Sequence, residues 1–427
     1  MSVPLRVLIV TDSFPPKCGG SGWSTWELSR GLLSRGHHVE VVKFEAGDRT
    51  GVFDRTYEGL KITDFCRQTV NVPVVRNVLK NERLWSTATE YLTGRLQSGD
   101  FDIVHAQHVL TTVPSIRAGS QSGTPVVATV RDYWPVCYWS DLIYTRSGTS
   151  LCPACSAEMM TRCIRPRGGV LWPLALPMIP YMRGNLARKR SGLAAADAII
   201  AVSTTIAADL RARAPEIAGT RLEIIPNPVD VPGLRARAAA TPPPVQGPYA
   251  LYLGKLAPNK GTSSLVEVAE RARLDWPLVI VGDGPERAAI EAQAKRSERD
   301  IRFTGWVAQA QTTTWLAHAS LLVFTSRGPE SLSRVLLEAS ALGVPIAAMN
   351  TGGTPDIVKH EETGLLSSTP KALAADVRRL VDDPTRRRQL GDAARDHAAH
   401  TFAANTVVQR VESLYMDLLS SAKMRAR

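Results

Sequence analysis

Residues 6–44 read RVLIVTDSFPPKCGGSGWSTWELSRGLLSRGHHVEVVKF. Arg6–Thr11 and Val39–Phe44 are short runs rich in Val and Ile, the composition of a buried strand. Between them, Ser24–Arg35 carries Trp26, Leu28, Leu32 and Leu33 at helical spacing, so the stretch reads strand, helix, strand. The rhythm continues outward: Ile103–His105 and Val126–Val130 are further strand candidates. Such alternation predicts α/β architecture, with a parallel sheet covered by helices on both faces. Ligands of such sheets bind beyond the carboxyl ends of the strands, so the loops that follow strands carry the interest.

Seven prolines between Pro226 and Pro248 interrupt the pattern, which predicts a linker. The alternation restarts at Tyr249–Gly254, Leu278–Val281, Ile301–Thr304, Leu321–Phe324 and Pro345–Ala348. The expected division is therefore an N-terminal domain over 1–228 with an insertion at about 133–190, a linker over 229–248, and a C-terminal domain over 249–404. Residues 405–427 follow as a helix whose apolar spacing suits packing back on the first domain.

With 427 residues, two or three domains are expected at roughly 150 residues each. Hydrophobic residues make up 44% and charged ones 21%, a globular composition that argues against disordered and multi-span membrane classes. The longest apolar stretch, Val170–Met182, is broken by Pro173, Pro177 and Pro180 and is shorter than the ~20 residues that a membrane-spanning helix needs. Lys and Arg number 51 against 40 Asp and Glu, a net charge of +11 that favours an anionic partner. Six cysteines are too few for a disulfide framework, and MSVPLRVLIV lacks the secretory pattern. A cytoplasmic setting is expected, with attachment at the inner membrane face as an option.

Glu330 and Glu338 bracket ESLSRVLLE, residues 330–338. Leu332, Val335, Leu336 and Ala339 put an apolar stripe on a helix that Ser331 is expected to open. Two carboxylates about 12 Å apart on one helix suit a nucleotide sugar, one for sugar hydroxyls and one for ribose. Two solvated glutamates are the plainer alternative. Gly19 and Gly20 follow the first strand, where glycine lets the backbone come close to a phosphate.

The segment SRGPESLSRVLLEASALGVPIAAMNTGGTPDIV, residues 326–358, resembles the E-x7-E region of family-4 retaining glycosyltransferases. The likeness extends to FPPKCGGSGWSTWELSRGLLSRGHHVEVV, ADAIIAVS, IIPNPVD, YLGKLAPNKG, VGDGP and FTGWV. It implies the GT-B fold, two Rossmann-like parallel-sheet domains facing across a cleft. It further implies retaining sugar transfer from a nucleotide diphosphate without a DxD-bound metal, hence no cofactor for catalysis. By this resemblance Glu330 touches the donor sugar, Glu338 the ribose, and Ser331, Leu332 and Ser333 offer backbone amides to phosphate. Gly282 of VGDGP and Val307 of FTGWV join the donor side.

Lys255 and Lys260 stand where the family usually has an Arg and a Lys that neutralise the leaving diphosphate. Lysine at 255 keeps the charge and loses the planar fork. Arg131 stands where the family often has a His beside the donor sugar. Arginine cannot act as a base near neutral pH, although it can stabilise diphosphate charge or orient a hydroxyl. His105, His108 and Asp132 are further cleft candidates near strand ends; a strand-end His is more often structural.

Cys137, Cys152, Cys155 and Cys163 cluster within one insertion. The spacing admits a structural zinc knot, buried reduced thiols or a redox pair. Between Met159 and Ala196 lie seven basic residues and no acidic ones, around the apolar run Trp172–Tyr181. That pattern suits an anionic membrane surface or a cover over the acceptor. The expected partners are a nucleotide-sugar donor and a glycan or lipid-linked acceptor. Nucleic acid is not expected, since no binding motif accompanies the charge. The alternative is a catalytically silent GT-B scaffold, which Arg131 favours and intact Glu330, Glu338, Lys255 and Lys260 disfavour. Donor and acceptor identity would depend on 71–85 and 141–190.

Overall fold

A computed structural model describes residues 3–69, 78, 82–145 and 151–425 of the chain. Two compact units result: Met1–Ser140, Met178–Pro228 and Ala404–Arg427 form the first, and Asp141–Pro177 with Val229–Ala403 the second.

In the first unit, strands β1 (Arg6–Thr11), β2 (His38–Gly47), β3 (Gly51–Tyr57), β4 (Leu60–Gln68), β5 (Ile103–Ala106), β6 (Val126–Val130), β7 (Ala198–Ala201) and β8 (Leu222–Ile224) form one sheet. Its order is β3-β4-β2-β1-β5-β6-β7-β8. All neighbours are parallel except β3, which returns antiparallel on β4 through a turn at Glu58 and Gly59. Helix α1, Gly20–Ser34, starts four residues before the expected Ser24. Helix α2 is Ile179–Ala194.

In the second unit, β9 (Ala250–Leu253), β10 (Leu278–Val281), β11 (Ile301–Gly305), β12 (Leu321–Phe324), β13 (Ile346–Met349) and β14 (Leu365–Ser367) form a parallel sheet in the order β11-β10-β9-β12-β13-β14. Helix α3, Val231–Ala239, occupies part of the expected linker. Val231 and Leu234 are buried, and Arg235 donates to Ala341 O at 3.2 Å, so this segment is built into the second unit. The expected assignment of the whole 133–190 insertion to the N-terminal domain is likewise corrected, because Asp141–Pro177 groups with the second unit. Helix α4 is Arg334–Leu342 and helix α5 is Ala404–Arg425.

Although α5 follows the second unit in sequence, it completes the core of the first. Val407, Val408, Val411, Leu414 and Tyr415 pack with Val7, Ile9, Leu28 and Leu32. A Cβ at Gly31 would lie 2.5 Å from Val408 Cγ2, so the close approach of α1 and α5 needs a residue without a side chain there. Arg35 Nε donates to Glu412 Oε2 at 2.7 Å, adding a charge-assisted contact at the edge. The second segment is closed at its own ends: Val229 N donates to Phe402 O at 2.9 Å, and Val229 and Ala403 form a parallel bridge.

His105 belongs to this packing and reaches no cleft. It is fully buried, with Nδ1 2.6 Å from Tyr415 Oη and Nε2 2.6 Å from Thr129 Oγ1. Burial, helped by the Arg131 charge, holds it well below imidazole's ordinary range, so it is neutral in the folded chain. An unfolded His takes up a proton near pH 6.5. Below that pH the unfolded state binds more protons, and stability falls by up to about 1.4 kcal/mol per pH unit until folded His105 itself protonates. Urea unfolding between about pH 7 and about pH 5.5 is expected to show this slope, and His105→Gln to lose it. Equal slopes in the two proteins would remove His105 as its source.

Candidate active site

Both sheets present their strand ends in the same way, and each has a point where the strand order reverses. In the second unit it falls between β9 and β12, where the loops after two adjacent strands part and leave room for a ligand. Lys260 lies in the first of these loops and Glu330 in the second. Lys260 Nζ donates to Glu330 Oε1 at 2.6 Å, and Ser326 Oγ donates to the same oxygen at 2.5 Å.

The two loops are stitched together by backbone. Asn259 O accepts from Arg327 N at 3.0 Å and from Gly328 N at 2.7 Å, and Lys260 O accepts from Thr325 Oγ1 at 2.9 Å. The third loop, after β13, holds Glu330 from behind. Gly353 N donates to Glu330 O at 2.7 Å, and a Cβ on Gly352 would lie 2.1 Å from that oxygen. Glu330 is thereby fixed at 9% exposure, while the Lys260 side chain remains 32% exposed.

This geometry corrects the expected helix. It begins at Arg334, with Ser333 as its cap, so Glu330 lies in the loop before it and only Glu338 is helical. The contacts with Lys260, Ser326 and Gly353 explain why Glu330 leaves the helical path. Glu338 is buried at 3% and accepts from Arg334 Nε at 2.7 Å, one turn earlier. Ser331 and Leu332 lie in the loop ahead of α4, near the positive end of its dipole. Lys255 is exposed in the loop after β9, its carbonyl accepting from Tyr252 Oη at 3.0 Å.

Gly282 follows β10 and has a steric explanation. Its φ is +141°, and a Cβ there would stand 1.9 Å from Gly254 O. Val307, after β11, is half-buried. Lys255, Lys260, Gly282, Val307 and Glu330 thus all follow strands of one sheet edge.

In the first unit the order reverses between β1 and β5. Gly19 caps α1 and, with Gly20, is exposed; a Cβ at Gly19 would meet nothing within 4 Å. The tight approach to this loop is made by Gly22 of α1, where a Cβ would lie 2.6 Å from Cys18 Cβ. Arg131 follows β6 and is 7% exposed. Its Nε donates to Asn227 Oδ1 at 2.8 Å, and its Nη1 to the Gln107 side chain and to Thr25 Oγ1 at 3.4 Å. These fixed oxygens give Arg131 a positioned guanidinium instead of a titratable imidazole. His108, after β5, has Nδ1 3.3 Å from Asp12 Oδ1. Asp132 receives Trp134 N at 2.8 Å, and burial pushes its carboxyl up despite the opposing charge of His108.

Among the described residues no three His, Cys, Asp or Glu side chains gather where they could hold a metal ion. Cys137 belongs to the first unit and Cys152, Cys155 and Cys163 to the second. Cys152 Sγ donates to Ala154 O at 3.1 Å and Cys163 Sγ to Met160 O at 3.3 Å. Ser326, Gly352 and Gly353 around Glu330, and Gln107 and Asn227 around Arg131, had not been assigned from sequence. The GG pair after the β13 run was a readable signal for the first group; the second has no local signature.

Two α/β units, each with polar groups at the carboxyl edge of its sheet, define a GT-B protein. Residues 18–231 match the model of Glycosyltransferase Family 4, and residues 236–397 match that of Glycosyl transferases group 1. The chain belongs to glycosyltransferase family 4. It is 31% identical over 179 residues to 2-deoxystreptamine N-acetyl-D-glucosaminyltransferase of Niallia circulans, a match covering 40% of this chain and 44% of that relative. The matched region therefore spans less than half of that relative's length. Sucrose-phosphate synthase of Thermosynechococcus elongatus shares the fold with a TM-score of 0.68 at 20% identity, covering 97% of this chain and all of the other. HepE of Anabaena in complex with UDP-glucose shares it with a TM-score of 0.65 at 18% identity, covering 98% of this chain and all of the other. None of the described helices is long and apolar enough to cross a membrane.

Proposed function

We propose that the chain transfers a sugar from a nucleoside diphosphate to an acceptor hydroxyl with retention of configuration at the anomeric carbon. The observation that carries this reading is the Lys260–Glu330 contact, 2.6 Å, at the strand-order reversal of the second unit. A carboxylate with an ammonium on one oxygen is positioned to accept sugar hydroxyls while the ammonium meets phosphate charge. Lys255 and the amides leading into α4 add positive potential. Glu338 is assigned to ribose. That a relative of the same fold holds UDP-glucose supports this class of donor.

In the proposed step the bond from the anomeric carbon to the leaving phosphate oxygen breaks and its electron pair stays with the diphosphate. The acceptor oxygen bonds to the same face of that carbon, and its proton passes to the departing phosphate oxygen. Lys260 and Lys255 stabilise the charge that develops on the leaving group, so no protein base is required and Arg131 acts as a cation. Incubation with a panel of nucleotide sugars, with and without acceptors, tests the reading by diphosphate release. Nucleotide binding with no turnover across the panel would favour the silent scaffold.

The acceptor is proposed to be a glycan or a lipid-linked glycan met at an anionic membrane face. Supporting this, GVLWPLALPM, residues 169–178, forms a 3-10 segment with none of its residues buried. Val170 is 93%, Leu171 65% and Leu174 76% exposed, and Arg165 lies 5.8 Å from the Trp172 ring. Exposed apolar residues beside cations suit a headgroup boundary. Vesicles containing phosphatidylglycerol are expected to sediment the chain, phosphatidylcholine vesicles much less. Replacing Leu171 and Leu174 by Ser is expected to reduce the bound fraction at least about fivefold. An unchanged bound fraction would rule this surface out.

A further inference from the structure

A sheet ends in two outer strands, whose outward N–H and C=O groups are open to pairing with another chain unless something guards them. Three of the four sheet edges in this protein are guarded. β8 has three residues, and Arg410 Nη2 donates to Ile224 O at 2.5 Å. β14 also has three residues. β11 has five, its pairing with β10 shifts register at Val281, and Arg302 and Asp300 stand charged at its start. β3 differs. It has seven residues, GVFDRTY, without proline or lysine, and it pairs with β4 in unbroken register from Gly51 opposite Cys66 to Tyr57 opposite Leu60. Among the described residues no strand pairs with its outer side.

The turn decides which groups face outward. Glu58 and Gly59 both have positive φ, +45° and +81°, as a two-residue type I′ turn requires. Such a turn is closed by hydrogen bonding between the flanking residues, Tyr57 and Leu60, and bonded and non-bonded pairs alternate along an antiparallel ladder. Gly51, Phe53, Arg55 and Tyr57 therefore bond inward to β4, and the backbone groups of Val52, Asp54 and Thr56 point out. All three of these residues are exposed. The charged side chains are engaged with β4 and do not block the edge: Arg55 Nε donates to Asp64 Oδ2 at 2.7 Å, and Thr63 Oγ1 donates to Asp54 Oδ1 at 2.6 Å. Val52 and Phe53 are left exposed, on opposite faces of the strand.

The strand is complementary to itself. Backbone bonding between two such edges needs outward residues opposite outward residues, which permits antiparallel pairing centred on residue 53, 54 or 55. Centring on 54 sets Asp54 against its own copy, which like charge disfavours. Centring on 53 sets Val52 against Asp54. Centring on 55 sets Phe53 against Tyr57 and Asp54 against Thr56, each twice, and the two Arg55 that meet at the axis already hold Asp64.

We propose that β3 is a dimerisation strand: two copies of the chain join their β3 edges antiparallel about Arg55, fusing two eight-stranded sheets into one. The occupant is a second copy because the pairing residues match themselves. A single pair of strands is a small contact, so the dissociation constant is expected to be on the order of 1–100 μM.

Sedimentation equilibrium of the intact chain across about 1–200 μM is expected to show monomer and dimer in exchange. Phe53→Lys changes an exposed residue, so the melting temperature is expected to move little. It adds a cation beside the paired Arg55 side chains and is expected to weaken the dimer at least about tenfold. Arg55→Cys is expected to form a disulfide between copies under mild oxidation, located by peptide mapping. A non-bonded pair sets its Cα atoms about 4.5 Å apart, within disulfide reach. Phe53→Cys, which faces Tyr57, is expected to form none. A chain that stays monomeric throughout overturns the pairing and leaves the edge to a strand of another protein. A dimer that Phe53→Lys leaves unchanged overturns it too, as does cross-linking through residue 53 with none through 55. If Arg55→Cys does not fold, the response to Phe53→Lys decides.

Discussion

Glu330→Gln is expected to lower sugar transfer by roughly 10²–10³-fold, the range for removing one preorganised electrostatic group, with the fold intact. The amide keeps the size of the carboxylate and can still accept from Lys260 and Ser326, but it removes the charge that strengthens the bonds to both. Lys260→Ala is expected to cost a similar factor, because it leaves Glu330 without the ammonium on Oε1 and removes the cation proposed to meet the leaving diphosphate. The two changes act on one contact, so the double variant should fall far short of the product of the two losses. The measurement is the initial rate of diphosphate release with the donor found by the screen, beside a melting curve for each protein. Wild-type rates in either single variant would show that the 2.6 Å contact is structural only. Losses that multiply fully in the double variant would show that the two residues act apart.

Ending the chain after Ala403 is expected to abolish the folded first unit. Val407, Val408, Val411, Leu414 and Tyr415 are between 0% and 2% exposed. At roughly 1.5–3 kcal/mol per buried side chain, their removal costs about 10 kcal/mol, close to the ~5–15 kcal/mol that holds a domain together. It also leaves His105 without Tyr415 and Arg35 without Glu412. The truncated chain should express insolubly, and peptide 404–427 added in trans at high concentration should restore solubility. A soluble truncated chain with cooperative unfolding of the β1–β8 sheet would contradict the assignment of α5 to that core.

What the sequence made readable was what local pattern encodes. Most of the central strands follow from β-branched runs, and the placing of Lys260 and Glu330 after β9 and β12 follows from where those runs end. The β3–β4 hairpin was missed although Glu58-Gly59 sits between two alternating segments. Val52 and Phe53 are exposed, so the apolar pattern there does not mark a core face, and Gly59, which tolerates the positive φ found there, is the better clue. Glu330 was placed on a helix because its spacing from Glu338 is helical. What bends the chain is Gly353 and Lys260, 23 and 70 residues away. The burial of His105 is not legible locally, since its partner Tyr415 lies 310 positions later and no window of sequence contains both. Arg131 shows the same limit, since Asn227 reaches it from 96 residues away.

The bridge between Val229 and Ala403 means that a stretch of more than 170 residues leaves and re-enters the chain at neighbouring points. A segment with adjoining ends behaves as a cassette that two cuts can exchange, provided Asp141–Pro177, which groups with it, comes from the same source. Swapping 229–403 together with 141–177 between relatives is therefore a direct route to hybrid chains of two family members.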